Sequence, residues 1–282
     1  MTHVAAQARV PKKALVVFLL VAALLLTLGA LTVVRGMVLE SRTVQVVNVV
    51  DGNTVVVNAD GQERTLAMAG VKSAIRNPEG YRVGPEFCMG EEAYVWLRDR
   101  LPQGATVRID TSDEGAPEGQ EAAVFEIGGD KVNVAMAEEG MAAPTGMGVD
   151  GKTAEEIAEA NRVAQTAGSR DNGVGLYDRD EQCSMGYQLF EATTALEQTP
   201  TTPKAETVAE IDATSVAYAD AVDSVRLVQQ RIQGLDPARG TFTDLAYAPA
   251  KEKLLATADP VVQQGLGVLQ DLNARRNALT AR

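Results

Sequence analysis

The chain is almost without histidine. Of its 282 residues only His3, in the N-terminal tail, carries an imidazole. Ser-His-Asp and Cys-His catalysis are therefore excluded from the rest of the chain, as is any histidine-based zinc site. Cysteine is nearly as scarce. The two present, Cys88 and Cys183, cannot build a four-cysteine zinc site. Aromatic residues are sparse at 4%. Basic charge is in deficit: 26 Lys and Arg against 38 Asp and Glu give a net −12 and a pI near 4.7. Polyanion binding depends on clustered Lys and Arg, so a nucleic-acid partner is not expected. What remains suits folding. The chain is 45% hydrophobic and 23% charged, enough to bury a core, and its length fits one or two domains plus attachments.

One long apolar run stands out. Residues 14–34 read ALVVFLLVAALLLTLGALTVV, 21 residues without a charge. As a helix this run is about 31 Å long, enough to cross a bilayer core. Arg9, Lys12 and Lys13 precede it and no acid does, so the positive-inside rule places residues 1–13 in the cytoplasm. The expectation is an uncleaved signal anchor: a single-pass cell-membrane protein with the bulk of the chain extracytoplasmic. The alternative is a cleaved signal peptide, for which the run is long and the small-residue site near Ala30 is poor. Either route exports everything after about Arg42.

Charge is uneven along the chain. Residues 1–42 carry five bases and one acid, residues 43–188 carry 12 bases and 25 acids, and residues 189–282 carry nine bases and 12 acids. The acidity belongs to the middle segment, which also opens with strand signals. Thr43 to Val50 is rich in β-branched residues, Asp51-Gly52 is a turn dipeptide, and Thr54 to Val57 resumes the strand. A second turn at Asp60-Gly61 leads to Thr65 to Val71. Residues 86–101 read as a helix with Ala93, Trp96 and Leu97 on one apolar stripe. Val107 to Asp110 and Ala122 to Ile127 read as two more strands. Val132 to Met141 and Ala154 to Ala167 read as helices. Five short strands with helices between and after them suit a small closed barrel of the OB type. Met136, Met141 and Met147 read as gap-fillers in its packing. Asp110, Asp113, Glu114, Glu118 and Glu121 gather around one loop, which reads as a solvated acidic surface.

Residues 189–205, with the run QTPTTPKA, read as a linker. Beyond it Val208, Ile211, Tyr218, Val222, Val225 and Ile232 fall on a/d spacing, with Ser215 and Gln229 at the two remaining seam positions. Leu235-Asp236-Pro237 and Arg239-Gly240 end that helix. Residues 249–281 read as a second helical stretch, broken or kinked at Pro260. The seam has two readings. It packs on 249–281 as an intramolecular hairpin, or it is a surface for a protein partner or for self-association.

The middle segment resembles the thermonuclease family, the staphylococcal-nuclease-like domains. The likeness rests on landmarks in order. Val49-Val50-Asp51-Gly52-Asn53-Thr54 is similar to the family's VVDGDT turn. Ala69-Gly70-Val71 matches the G-[IV] ahead of its D-x-P-E loop. Cys88-Met89-Gly90-Glu91-Glu92-Ala93 looks like the C-x-G-x-E-A helix start of exported members. Val132-Asn133-Val134-Ala135 and Glu139-Gly140-Met141-Ala142 look like VNxxLV and xGLA. Gly175-Leu176-Tyr177 stands where the family ends in GLW. These matches cover about residues 44–184.

The resemblance implies a five-stranded OB barrel and calcium-assisted phosphodiester hydrolysis. In that chemistry carboxylates hold the cation, a glutamate acts as general base and arginines clamp the phosphate. Carried over position by position, this equipment is missing. The metal aspartate of the turn is Asn53. The D-x-P-E loop becomes Lys72-Ser73-Ala74-Ile75, so a cation replaces the second metal aspartate and an alkyl chain replaces the base. The two arginine positions fall at Ala67 and Gln120, and the two tyrosines at about Gly146 and Gly148. Arg64 is an odd number of residues from Ala67 and so faces the other side of its strand. A rebuilt site would have to recruit Glu79, Glu86 or Arg76. Exported relatives place cysteines at the positions of Cys88 and Cys183, which implies a disulfide between them; the alternative is two free or intermolecular thiols.

The resulting expectation is an α+β chain with these parts: a cytoplasmic tail (1–13), a transmembrane anchor (14–34), a nuclease-like OB-fold domain (43–188), a linker (189–205) and a helical hairpin (206–282). Functionally it reads as a non-catalytic binding or scaffold protein with no cofactor. The alternative is an exported calcium-dependent nuclease with a relocated site.

Overall fold

The structure is a computed structural model that describes residues 40–79, 84–117, 119–167, 173–178 and 181–281. The expected anchor at 14–34 and the cytoplasmic tail lie outside the described residues. Among those that are described, no helix is long and apolar enough to cross a membrane.

The elements run β1 (Glu40–Asp51), β2 (Thr54–Ala59), β3 (Gln62–Met68), β4 (Val71–Lys72), α1 (Gly90–Arg100), β5 (Thr106–Ser112), β6 (Glu121–Ile127), β7 (Asp130–Lys131), α2 (Val132–Glu138), β8 (Ala143–Pro144), α3 (Gly151–Thr166), α4 (Met185–Gln198), α5 (Val208–Gln233), α6 (Phe242–Tyr247) and α7 (Lys251–Thr280). The chain from Ser41 on is one compact unit.

The sheet runs β3-β2-β1-β5-β6, and β3 also pairs with β6, so it closes into a five-stranded barrel. The closing pair is parallel, Leu66 to Met68 beside Glu121 to Ala123, and α1 is inserted between β3 and β5. A closed five-stranded barrel of this order is OB-like. The alternation of β1 is adjusted by bulges. Val46 pairs with Val57 but Asn48 with Val56, so one extra residue moves the inward set from Val44 and Val46 to Val49. In β2 the alternation is undisturbed, and Val55, Val57 and Ala59 point inward.

Two features seal the barrel. Ala93, Leu97 and Leu101 from α1 are fully buried in its core. Trp96 is only half-buried against that core, and its indole N–H donates to Glu139 at 2.7 Å. Asn133 at the start of α2 is fully buried. Its Oδ1 accepts from the Phe125 N–H at 2.9 Å, and its Nδ2 donates to the carbonyls of Ala69 and Ala123 at 2.7 and 3.1 Å. One amide thus satisfies three backbone groups where β3 meets β6. Helix α3 starts at Asp150, whose carboxylate accepts from the Thr153 N–H at 2.6 Å, a standard cap. It lays Ile157 and Ala160 on the barrel core. Met136 is buried, but Met147 is 49% exposed and fills no gap.

The C-terminal region departs from expectation in two ways. Residues 189–205 are not a linker throughout: α4 runs from Met185 to Gln198, and Leu189 and Leu196 are buried in the helical core. Pro260 does not break α7, which is continuous from Lys251 to Thr280. Helices α5 and α7 form the hairpin. Gln229 donates to Asp259 at 2.7 Å and Arg276 meets Asp212 at 2.6 Å. The partners run in opposite order along the two helices, so the helices are antiparallel. Helix α4 packs beside α5 and completes a three-helix layer.

Candidate functional site

The positions that would carry nuclease chemistry gather at one end of the barrel, around the β1–β2 turn. Asn53, Ala67 and Lys72 have structural tasks there, while the Ile75 side chain is exposed. The Asn53 N–H donates to Asp51 Oδ1 at 2.8 Å, which sets the turn. Its side chain then reaches across to Ser73: Oδ1 accepts the Ser73 N–H at 2.6 Å and Nδ2 donates to the Ser73 carbonyl at 3.2 Å. A carboxylate could accept but not donate, so this two-way bond requires the amide. The Asn53 carbonyl accepts from Met68 at 2.7 Å, which fastens the turn to the end of β3. Ala67, one residue earlier, is buried between Thr54 of β2 and Ala122 of β6.

Residues 72–75, which the resemblance aligns with the D-x-P-E loop, have four different surroundings. The Lys72 ammonium donates to the Gly240 carbonyl at 2.8 Å. Gly240 is the left-handed residue that ends the 3-10 turn Pro237–Arg239 ahead of α6. Ser73 is held by Asn53. Ala74 is buried in the helical core beside Leu176 and Tyr247. Ile75 is 54% exposed, and its N–H donates to the Glu86 backbone carbonyl at 2.8 Å. Gly90 of α1 packs so closely on the Ile75 carbonyl that any Cβ there would collide with it. Gln120 is half-buried just before β6, its N–H on the Pro117 carbonyl at 3.0 Å.

The substitutes for a rebuilt site are no better placed. Arg76 is paired in a fork with Glu91, at 2.8 and 3.1 Å, and its guanidinium lies 3.6 Å from the Tyr94 ring centre. The hydrogen bond to Glu91 raises its pKa above the ordinary arginine value. Arg64 joins Arg42 on Glu121, at 3.5 and 2.7 Å. Glu79 and Glu86 are exposed. Among the described residues no group of three or more His, Cys, Asp or Glu side chains is placed to hold a metal ion. Every described Arg and Lys from 42 to 167 other than Lys72 lies within 3.6 Å of a carboxylate. These described cations are thereby neutralised by neighbouring acids. In the acidic loop, Asp110 pairs with Arg108 and Glu121 with Arg42, while Asp113 and Glu114 face solvent; Glu118 lies outside the described residues.

No protein-family model matches this chain, and no curated protein matches it.

The helices are fastened to the barrel beside this end. Cys88, just ahead of α1, and Cys183, just ahead of α4, are disulfide-bonded with Cα atoms 5.1 Å apart. The Tyr247 hydroxyl donates to the Leu176 carbonyl at 3.3 Å. Tyr177 is half-buried against the same core; desolvation pushes its phenol up to about 12, and it donates to Asn161 Oδ1 at 2.5 Å. The seam residues on α5 are buried inside the chain. Ile211, Tyr218, Val222, Val225 and Ile232 are at most 5% exposed, and Val208 is half-buried. They pack within the hairpin and the three-helix layer, so they are not an open surface for a partner.

Sequence reading missed the junction itself. A cleft of about 530 Å³ lies between Gly84–Glu86 and the ends of α5 and α6, lined in part by Arg231, Arg239, Thr241 and Asp244. Asp244 is its buried hub. It accepts from Arg239 at 2.5 Å, from the Thr241 hydroxyl at 2.6 Å and from the Asp236 N–H at 2.9 Å. Burial alone would raise its pKa, but these donors outweigh that and hold it below the usual carboxylate value. The signal present in sequence was Thr241 followed three residues later by an acid, a capping pattern.

Proposed function

We propose that the protein is a non-catalytic, membrane-anchored, extracytoplasmic binding or scaffold protein built on an inactivated nuclease-like barrel. The observation that carries this reading is Lys72. The position where the resemblance requires a metal-binding carboxylate holds a cation, and that cation donates to the Gly240 carbonyl of the helical region. Asn53, the other metal position, has its side-chain oxygen on the Ser73 N–H. A calcium ion would need oxygen ligands at both positions and negative charge nearby. The neutralised cations of the barrel favour the same reading, because a phosphate chain gains affinity from unpaired Lys and Arg. The membrane anchor rests on the uncharged run at 14–34 and the basic residues before it.

The test is hydrolysis. Full-length protein is incubated with single-stranded DNA and with RNA, with and without calcium, beside an active thermonuclease and a mock purification. No cleavage above the mock is expected. Calcium-dependent cleavage that disappears in Glu79→Gln, Glu86→Gln or Arg76→Ala would overturn the reading in favour of a relocated nuclease site.

A further inference from the structure

We infer that the exposed face of α4 and α5 is a docking surface for a second copy of this chain, with α5 meeting its counterpart antiparallel around a two-fold axis at Leu227. The inference names the partner of the binding or scaffold protein proposed above and rests on that reading.

Few large apolar side chains are exposed in the helical region. Among the described residues the large ones are Phe190 on α4 and Val216 and Leu227 on α5, at 51, 62 and 59% exposed; none lies on α7. Val216 and Leu227 are three helical turns apart and so share a stripe. Leu227 borders a groove of about 430 Å³ between α4 and α5. Small residues, Ala192, Ala195 and Ser224, line it together with Gln188, Glu191 and Arg231. Leu227 projects at its rim, so a second copy related by a two-fold axis there would set Leu227 against Leu227, with the shallow groove beside each leaving room for the partner helix to approach. An interface of this kind uses the same patch on both copies.

The charges select a second copy and fix its direction. Asp223 and Arg231 lie one turn before and one turn after Leu227, each about 6 Å away along the axis. A two-fold at Leu227 therefore sets Asp223 of each copy opposite Arg231 of the other. A parallel arrangement would set aspartate on aspartate and arginine on arginine. In the single chain these groups have weaker, exposed partners: Asp223 meets Arg226 at 3.2 Å and Arg231 meets Gln188 at 3.2 Å. Both can turn outward without uncovering a buried group. Charge pairs across an interface contribute mainly to register and to rejection of wrong arrangements.

The experiment uses the full chain, with Cys88 and Cys183 retained in their disulfide. Residue 227 faces itself across the axis, so Leu227→Cys should form a reducible dimer on mild oxidation in intact cells, with a shift to twice the monomer mass. Gln264→Cys, on the exposed side of α7, should give background only. In purified protein Leu227→Asp should weaken dimerisation by about 30-fold, as for a central anchor residue. Asp223→Arg and Arg231→Asp should each weaken it, and the two together should restore it, because the exchanged charges still face each other. A monomeric wild type, equal cross-linking at 227 and 264, cross-linking of 227 to a different protein, or failure of the double exchange to recover would each overturn the dimer. Nuclease assays on the same samples separate the two proposals. Cleavage by a dimer would sink the non-catalytic reading alone, and an inert monomer would sink the dimer alone.

Discussion

The barrel and the helical layer are built on different terms. The barrel core is self-sufficient. Its buried members, from Val44 to Ala160, all come from the barrel segment itself. The helical core is not: alongside Leu189, Val222 and Val262 it includes Ala74, Ala143 and Leu176, which belong to the barrel segment. It is also closed by small residues. Gly265 of α7 lies so near α5 that a Cβ there would stand 2.7 Å from Val222. The dependence therefore runs one way. The barrel can close without the helices, but the helices complete their core only against the barrel, held there by a disulfide, a lysine and a tyrosine.

The largest effect should come from separating the two. Replacing Cys88 and Cys183 by alanine removes a tie across 95 residues, which in the chain-entropy model stabilises by about 4.7 kcal/mol. Urea unfolding followed in parallel by Trp96 fluorescence, a barrel probe, and by far-UV circular dichroism, dominated by the helices, should then give two transitions, the helical one earlier. A single shared transition would mean that the barrel depends on the helices as well. The converse variant is Asn133→Ala. It leaves the Phe125 N–H and two carbonyls without their partner inside the barrel, at a cost of about 3 kcal/mol. Because the helices lean on the barrel, both probes should shift together.

Much of the barrel was legible because its strands obey a local rule. Val55, Val57 and Ala59 alternate, Asp51-Gly52 and Asp60-Gly61 mark the turns, and each of these can be read within a few residues. The candidate site was legible only by position. Sequence located Asn53, Lys72 and Ile75, but not that Lys72 reaches a carbonyl 168 residues away. Helix α4 was obscured by its neighbour. The Pro-containing run after Gln198 is a linker signal, and its influence spread back over Leu189, Ala192 and Leu196, which carry helical spacing. The apolar a/d positions on α5 from Ile211 to Ile232 are buried, and a/d spacing is the same whether the facing helix belongs to the same chain or another. The surface proposed for a second copy uses none of those residues.

Smaller changes sharpen the same contrast. Gly265→Val forces a side chain against Val222 and should cost about 1–3 kcal/mol through overpacking. It should move the helical transition with little change in Trp96. Acid should act on the same half. The folded-state pKa of Asp244 is depressed, so its contribution is present above the unfolded aspartate value of about 3.9 and is lost as pH falls below it through the lower folded value. Asp244→Asn should cost about 1 kcal/mol at neutral pH, because the charged acceptor is gone. It should also flatten the decline of helical stability below pH 4 in acid titrations at fixed urea.

Lys72→Ala should have the smallest effect and divides the two regions most finely. Its bond to the Gly240 carbonyl is exposed, so water replaces it, and the loss should be about 0.5–1 kcal/mol. Lys72 sits on β4, paired with β8 through Ala143, and its backbone is part of the barrel segment whatever its side chain does. The loss should therefore appear in the helical transition only. Lys72→Asp, which places an acid at this position, should cost more than alanine, because a carboxylate would then face the oxygen of Gly240 with no proton between them. If lysine instead served the barrel, alanine would shift the Trp96 curve and the helical curve equally, and the one-way dependence would fail at the contact that best defines it.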